Sequence, residues 1–388
     1  MVMDNLSGAS LTPPPAGAAL PRATRRSVLR WTAAFAAILI AALAGLLTLL
    51  LIGLDTGPVA LLIGFVLATL PVPGYIALVL WIDRYEPEPP WMLATAFFWG
   101  ALIAVFIAFV LNTTGGLIVA ALAGNKAGEF FAADISAPVV EESAKALVLF
   151  GIYIWKKDEF DGVIDGIVYA ALVGLGFAMT ENIQYYGGAA LKGGIAGSLG
   201  LFILRGIIAP FSHPLFTSMT GIGLGLASQS NKKAIKFFAP AAGLAAAMLL
   251  HETWNLSASI NGLLLLAVYF FIMMPIFVAV LVAIFFGLKR EGRIVREQLQ
   301  YDLQSGLFRR EDYESLCSVR GRMGASLNAL RKGGYGAWRA RMEYHHLASE
   351  LAFLRNRVSR GLLPWDGATA EREAVYRRLL YNLQRGQL

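Results

Sequence analysis

Before residue 289 the chain is a succession of long apolar stretches, and several of them carry glutamate or histidine well inside their limits. About 20 residues of helix cross the hydrocarbon core of a bilayer. Eight stretches reach or approach that length, at roughly 31–53, 58–82, 91–123, 134–155, 162–187, 203–228, 235–257 and 262–288. The composition agrees, with 57% hydrophobic and 15% charged residues, where soluble domains have about 45–50% and about 25%. The expected fold class is all-α: a polytopic membrane helix bundle of about eight transmembrane helices with a helical C-terminal tail. The third stretch is too long for one straight span. Asn112-Thr113-Thr114-Gly115-Gly116 is expected to break or bend it, which leaves one or two segments there. The single cysteine, Cys317, excludes an intramolecular disulfide framework and any CxxC metal site.

Three regions follow. Residues 1–30 read as a cytoplasmic N-terminus; its first 21 residues are rich in Pro, Ala, Gly and Ser and are expected to be disordered. The apolar run after Arg22, Arg25, Arg26 and Arg30 exceeds a signal-peptide core, so a retained anchor is expected. Residues 31–288 form the membrane domain and 289–388 the tail. The tail holds 19 Lys and Arg against 11 Asp and Glu, while the rest of the chain holds 14 against 15. The net charge of +7 therefore belongs to the tail, where it suits anionic lipid headgroups. No nucleic-acid recognition motif accompanies it, so no nucleic-acid partner is expected. Lys and Arg alternate between loops as both termini cytoplasmic would require, placing the protein in the cell membrane as a multi-pass chain. In the tail, helical periodicity breaks at Gly333-Gly334 and around residues 361–367. The amphipathic stretch 338–358 is expected to lie on the membrane or bind a partner. His345 and His346 are expected to face solvent. The sequence leaves oligomeric state open.

Ionisable groups inside membrane helices are costly and mark function more often than structure. The fourth stretch contains Glu141, Glu142 and Lys145, the fifth Phe177 and Glu181, the sixth Arg205 and His213, and the seventh His251 and Asn255. The alternating topology puts Glu142, Glu181, His213 and His251 about 6–10 residues from the outer surface, at a depth of ~9–15 Å. Four separate helices thus deliver costly groups to one layer. Lys145 stands three and four residues after the two glutamates and can neutralise one, leaving the other available. Arg205 is expected to snorkel to outer headgroups, Trp254 reads as an interfacial aromatic, and Asp161 and Asp165 as solvated. Gly221 and Gly225 form a GxxxG pattern suited to close helix packing.

A desolvated glutamate can activate water for peptide hydrolysis, with polar donors holding the oxyanion. Alternatively, Glu142, Glu181, His213 and His251 could hold Zn²⁺ with an open water position. The pattern HExxH is absent, since His251-Glu252 is followed by Asn255, and the metal-free glutamate mechanism is favoured. An ion- or proton-coupled transporter would also use buried Glu, His and Lys. The off-centre layer and the lack of an internal repeat favour the enzyme.

Glu141-Glu142-x-x-Lys145, Phe177-x-x-x-Glu181, His213 and His251-x-x-Trp254-Asn255, preceded by residues 83–89 (DRYEPEP), resemble the successive motifs of the PrsW family of intramembrane proteases over roughly residues 60–290. That family is similar to the CAAX-processing and bacteriocin-immunity glutamate-dependent membrane proteases. The resemblance implies an intramembrane endopeptidase in which Glu141 or Glu142 activates water with help from Glu181. His251 and Asn255 would stabilise the oxyanion, and His213 would assist, with Lys145 and Phe177 in support. It also implies membrane-anchored protein substrates, such as anti-sigma factors, cut near the outer face. The related CAAX proteases have histidine where this chain has Glu181.

Overall fold

In the computed structural model, residues 23–386 are described, and every regular element among them is helical. The segment expected to be disordered, with Arg22, lies outside the described residues. The chain divides into two compact units, residues 1–43 and residues 44–388. Helix α1 (Ala23–Thr56) begins in the first unit; every side-chain contact described below lies in the second.

Among the described residues, six helical segments are long and apolar enough to cross a membrane: Trp31–Thr56, Pro58–Ile82, Pro90–Ala123, Val163–Ser228, Lys233–Ile260 and Gly262–Gln298. The architecture is a polytopic helix bundle. Two details account for six rather than eight. Helix α7 (Ala137–Trp155) has the length of a span but carries Glu141, Glu142 and Lys145. The 66-residue stretch Val163–Ser228 is continuous in hydropathy, yet its first helix (Val163–Phe202, α8) reverses at Gly193 and Gly194. Gly194 has φ +61°, a backbone region that glycine enters without steric cost. Past that turn Ser198 Oγ donates to Tyr186 O at 2.7 Å, so the chain folds back alongside α8.

The expected break at residues 112–116 is absent. Helix α5 (Val105–Ala123) runs straight through it, and the irregularity is a π-helical turn at Trp99–Ala104, following α4 (Pro90–Phe98). Pro90–Ala123 is therefore one segment of 34 residues, ~51 Å at 1.5 Å per residue. The wide turn has a packing reason. A Cβ on Gly100 would lie 2.0 Å from Val173 O of α8, so the two backbones touch there. Thr180 Oγ1 donates to Ala101 O within that turn at 2.7 Å.

Helix α8 is the central element, packed against α2 (Pro58–Thr69), α4 and α9 (Ser212–Ser228). Its row of small residues at 162, 166, 170 and 174 meets a row on α9 at 225, 221, 217 and 213, running antiparallel. A Cβ on Gly166 would lie 2.1 Å from Gly221 O, and one on Gly225 2.4 Å from Gly162 O. The GxxxG reading is thus a helix contact, as expected. The same row carries Thr217 and His213, which the close approach presses toward α8.

After α12 (Met274–Gln298) the tail folds as helices α13 (Gln300–Gln304), α14 (Arg310–Leu316), α15 (Val319–Ser359) and α16 (Gly367–Gly386). Helix α15 breaks at Gly334, φ +69°. Three expectations for this region are corrected. Residues 338–358 do not offer a free apolar face, because Tyr344, Leu347, Ala348, Leu351 and Ala352 are buried in one core with Val295, Leu299 and Phe308. His345 is 3% exposed rather than solvent-facing, and its burial holds the imidazole well below its usual range; His346 is half-buried. Asp165 is buried, accepting from Asp161 N at 2.9 Å, and Asp161 faces Arg357 at 3.6 Å, so neither is simply solvated. Residues 83–89 anchor this tail. Arg322 stacks over Tyr85 at 4.3 Å and donates to Tyr85 O at 3.3 Å and Ser349 Oγ at 2.7 Å.

Candidate functional site

Helix α7 supplies the centre of the site. Its Pro138 stands in the first turn, where a missing N–H costs no helical bond. One turn later Glu141, Glu142 and Lys145 all turn inward and are buried. Lys145 Nζ donates to Glu142 Oε1 at 2.8 Å and lies 3.5 Å from Glu141 Oε2. It sits 3.8 Å over the ring of Phe177, which covers the ammonium from α8.

Glu142 is saturated. Its Oε1 accepts from Lys145 and from His251 Nδ1 at 3.0 Å, and its Oε2 accepts from Thr217 Oγ1 at 3.1 Å. An ionised carboxylate accepts only, so His251 carries its proton on Nδ1 and presents a lone pair on Nε2. That nitrogen points at Glu141 Oε2 across 3.8 Å. Glu141 Oε2 is buried and without a hydrogen-bond partner.

The second half of the site lies between α8 and α9. His213 Nδ1 faces Lys145 Nζ at 3.0 Å, and its Nε2 faces Glu181 Oε2 at 3.0 Å. An ammonium can only donate, so the proton of His213 is on Nε2, aimed at the carboxylate. Arg205 Nη2 donates to the same oxygen at 2.5 Å and Arg205 Nε to Asn182 Oδ1 at 2.7 Å. Arg205 therefore enters the site instead of reaching for headgroups. The π-helical turn Ile203–Ile208 swings it inward.

The resulting chain runs Glu142–Lys145–His213–Glu181–Arg205, with His251 and Glu141 alongside. Three carboxylates meet two permanent cations. The carboxylate in excess is Glu141, the one with an unpartnered oxygen. Trp254 is buried against the ring of Tyr269 as part of the core. The structure does not bring Asn255 into this network: its Nδ2 donates to Ala133 O at 2.9 Å, pinning the π-helical turn Phe131–Ser136 that precedes α7. Arg205 and Thr217 complete the site beyond the residues singled out for chemistry. Thr217 follows His213 by four residues, which places both on one helix face.

Glu141 and Glu181 line a cavity of about 830 Å³ that extends along α8 to Lys192. Eleven residues separate Glu181 from Lys192, ~16 Å of helix. Small residues at Ala132, Ala133, Gly188 and Ala189 leave the walls open to a bulky occupant.

A model described as PrsW family intramembrane metalloprotease matches residues 88–280, the stretch that contains every group of this network. Over residues 88–280 the chain is similar to the PrsW family. It is similar to Protease PrsW of Geobacillus kaustophilus (strain HTA426), 34% identical over 154 residues, which are 39% of this chain and 60% of that protein. Against Protease PrsW of Bacillus subtilis (strain 168) the identity is 33% over 157 residues, 39% and 63% of the two chains. Against that of Clostridioides difficile (strain 630) it is 31% over 160 residues, 40% and 63%. The chain thus spans about three-fifths of the length of the curated PrsW relatives it matches. No solved structure matches it significantly. Family and apolar helices together make this a multi-pass membrane protein.

The family description implies a metal, and the donor set can be tested for one. Donor atoms of Glu141, His213 and His251 lie within 4.8 Å of one another, and one carboxylate with two imidazoles suits Zn²⁺. Glu141 Oε2 and His251 Nε2 are free of hydrogen bonds; His213 becomes a ligand when Lys145 releases Nδ1. This set differs from the expected Glu142, Glu181, His213 and His251, because both oxygens of Glu142 and Oε2 of Glu181 are already committed to cations and hydrogen-bond donors.

Proposed function

We propose that the chain is an intramembrane endopeptidase that hydrolyses a peptide bond of a membrane-anchored protein, with Glu141 activating water. The supporting observation is the convergence of two lone pairs, Glu141 Oε2 and His251 Nε2, 3.8 Å apart beside the cavity. A water held there would donate a hydrogen to each and turn its own lone pair toward a substrate carbonyl. Glu141 would take a proton as the water oxygen bonds to the carbonyl carbon. It would return that proton to the leaving nitrogen as the C–N bond breaks. Glu142 fixes the tautomer of His251. Lys145, 3.5 Å from Glu141 Oε2, is the cation nearest the developing negative charge. Asn255 can donate to the oxyanion if it leaves Ala133. Glu181, His213 and Arg205 hold Lys145 in place.

The reading is metal-free because Lys145 already supplies a cation among these acceptors. The second reading, favoured by the orphaned Glu141 oxygen, is a Zn²⁺ ion on Glu141, His213 and His251, which would lower the pKa of bound water.

The substrate class follows from the cavity and from the family. An extended segment of a single-pass protein, of the anti-sigma-factor kind, would enter along α8 from the turn at Gly193–Gly194. We take that turn as the outer face, since the loops at 156–157, 232–236 and 289–293 carry Lys and Arg on the other side. Both termini would then be cytoplasmic, in the cell membrane.

The test is cleavage of a single-pass substrate by purified protein in liposomes, with the cut mapped by mass spectrometry and the metal content measured. Cutting within the outer third of the span, lost in Glu141→Gln, supports the proposal. Solute-driven flux without cleavage would replace it with a transporter. Stoichiometric zinc, with activity lost on chelation, would decide for the second reading.

A further inference from the structure

Residues 318–342 contain six Lys and Arg and no Asp or Glu, in a chain whose acidic residues otherwise recur throughout the tail. The segment opens helix α15 with Ser318 as N-cap, its side chain accepting from Gly321 N at 3.1 Å. Of the six basic residues, Arg322 is buried against Tyr85 and Arg341 pairs with Asp312 at 2.7 Å. The other four, Arg320, Arg331, Lys332 and Arg339, are exposed and have no acidic partner among the described residues.

The apolar residues here are also turned outward. Met323, Leu327 and Leu330 are 52%, 47% and 42% exposed. Their spacing of four and three makes them a single stripe. Past the break at Gly334, Tyr335 is exposed and stacks with Trp338 at 5.5 Å. One flank of this helix, at Ala325, Ser326 and Ala329, is half-buried, with Ser326 Oγ against Met342 Sδ. The stripe is therefore left over after the tail has packed.

Its level relative to the spans is fixed by one contact. Arg84 Nη1 lies 3.1 Å from Met323 Sδ, and the same guanidinium covers the ring of Trp81 at 4.0 Å. Trp81 is the penultimate residue of the span Pro58–Ile82. The stripe thus starts where a membrane helix ends, at the depth favoured by Trp, Tyr and Arg.

We propose that residues 319–339, the helix up to Gly333 and the turn beyond it, form a membrane-surface segment that binds anionic phospholipid, its Met323–Leu327–Leu330 stripe among the acyl chains near the headgroups. Arg320, Arg331, Lys332 and Arg339 would meet the lipid phosphates. A zwitterionic surface would satisfy the stripe but not the four free cations; a soluble acidic protein would satisfy the cations but need not sit beside Trp81. Only a charged lipid surface matches both at this level.

The test uses the full chain with Cys317→Ser, labelled through Leu327→Cys with an environment-sensitive fluorophore. It is reconstituted in nanodiscs of phosphatidylcholine alone or mixed with phosphatidylglycerol. Headgroup-nitroxide lipids should quench the label about threefold more strongly in the anionic discs, and a label at exposed Glu343→Cys should not respond. The triple variant Arg320→Glu, Arg331→Glu, Lys332→Glu, all at exposed positions, should lose the anionic enhancement. Quenching indifferent to lipid charge would overturn the proposal. So would protection that appears in detergent and grows with protein concentration, since a second copy would then cover the stripe.

Discussion

Nε2 of His251 and Oε2 of Glu141 face each other across 3.8 Å, and neither atom has a hydrogen bond. Two acceptors do not hold that arrangement by attraction for one another. They are set by what lies behind them: Glu142 fixes His251, and the helix turn from Glu141 to Lys145 fixes Glu141. Whatever a substrate-bound site places between them must bring hydrogens or positive charge, which is what a hydrolytic site needs.

Glu141→Gln is expected to lower cleavage by about 10²–10⁴-fold with the smaller loss of stability, because its Oε2 holds no hydrogen bond and meets Lys145 only at 3.5 Å. Glu142→Gln should behave differently. It removes the charge that meets Lys145 and His251 in a site that is 0% exposed for both Glu142 and Lys145 side chains, and breaking such a pair costs about 3–5 kcal/mol. Thermal melts in detergent beside cleavage rates separate the two. Equal destabilisation in both variants would remove the distinction drawn between the two glutamates.

Arg205 and Glu181 should be coupled. Arg205→Met leaves a largely buried carboxylate with His213, and Glu181→Gln leaves a largely buried guanidinium with Asn182 and the ring of Tyr185 but no anion. The double variant is expected to melt higher than the sum of the two single losses predicts, with an interaction energy of about 1–3 kcal/mol. Strict additivity would mean that Arg205 belongs to the membrane surface, as its position in an apolar stretch first suggests.

The layer of ionisable groups was legible in the sequence because hydropathy makes every charge in an apolar stretch conspicuous. Glu141, Glu142, Lys145, Glu181, His213 and His251 do meet. What failed depends on packing that hydropathy does not encode. Residues 112–116 carry helix-breaking composition, yet the irregular turn lies at Trp99–Ala104, where Gly100 meets the backbone of α8. Arg205 and Asp165 are long or short polar groups near helix ends, and only tertiary partners decide whether they face water. Thr217 carries no charge and so gave no signal. In the tail, the amphipathic pattern of 338–358 was real, but its apolar face found a protein partner, and the face left open belongs to the helix before it.

The loop before α4 should make stability pH-dependent. Glu88 is 5% exposed and accepts from Tyr169 Oη at 2.5 Å. Burial, reinforced by Asp165 and Asp83, pushes its carboxyl from an ordinary 4.5 up to about 11. The folded protein then keeps a proton that the unfolded chain releases, so this group's contribution is present below pH 4.5 and declines as pH rises toward 11. Glu88→Gln keeps an acceptor for Tyr169 and should flatten the decline of melting temperature between neutral and alkaline pH, by ~2–4 °C per kcal/mol recovered. A glutamine variant that melts lower than the native protein at pH 8 would show that the carboxyl is ionised there.

Gly174 tests whether helix spacing sets the chemistry. It faces α9 where a Cβ would lie 2.7 Å from the carbonyl carbon and oxygen of His213. Alanine normally stabilises a helix by about 1 kcal/mol over glycine, so propensity alone favours Gly174→Ala. The contact is with backbone, however, and cannot be relieved by a rotamer change; α9 must move away from α8. His213 would then be drawn from both Lys145 and Glu181, and displacements near 1 Å in such sites cost about 10²-fold in rate. Stability should fall only by about 1–3 kcal/mol, the usual cost of overpacking. Gly200→Ala, where no atom lies within 4 Å of the new Cβ, supplies the matched control and should leave both activity and melting nearly unchanged. If Gly174→Ala cleaves as fast as the native protein, then the antiparallel contact of α8 with α9 does not position His213, and the network must tolerate a looser geometry than the one described.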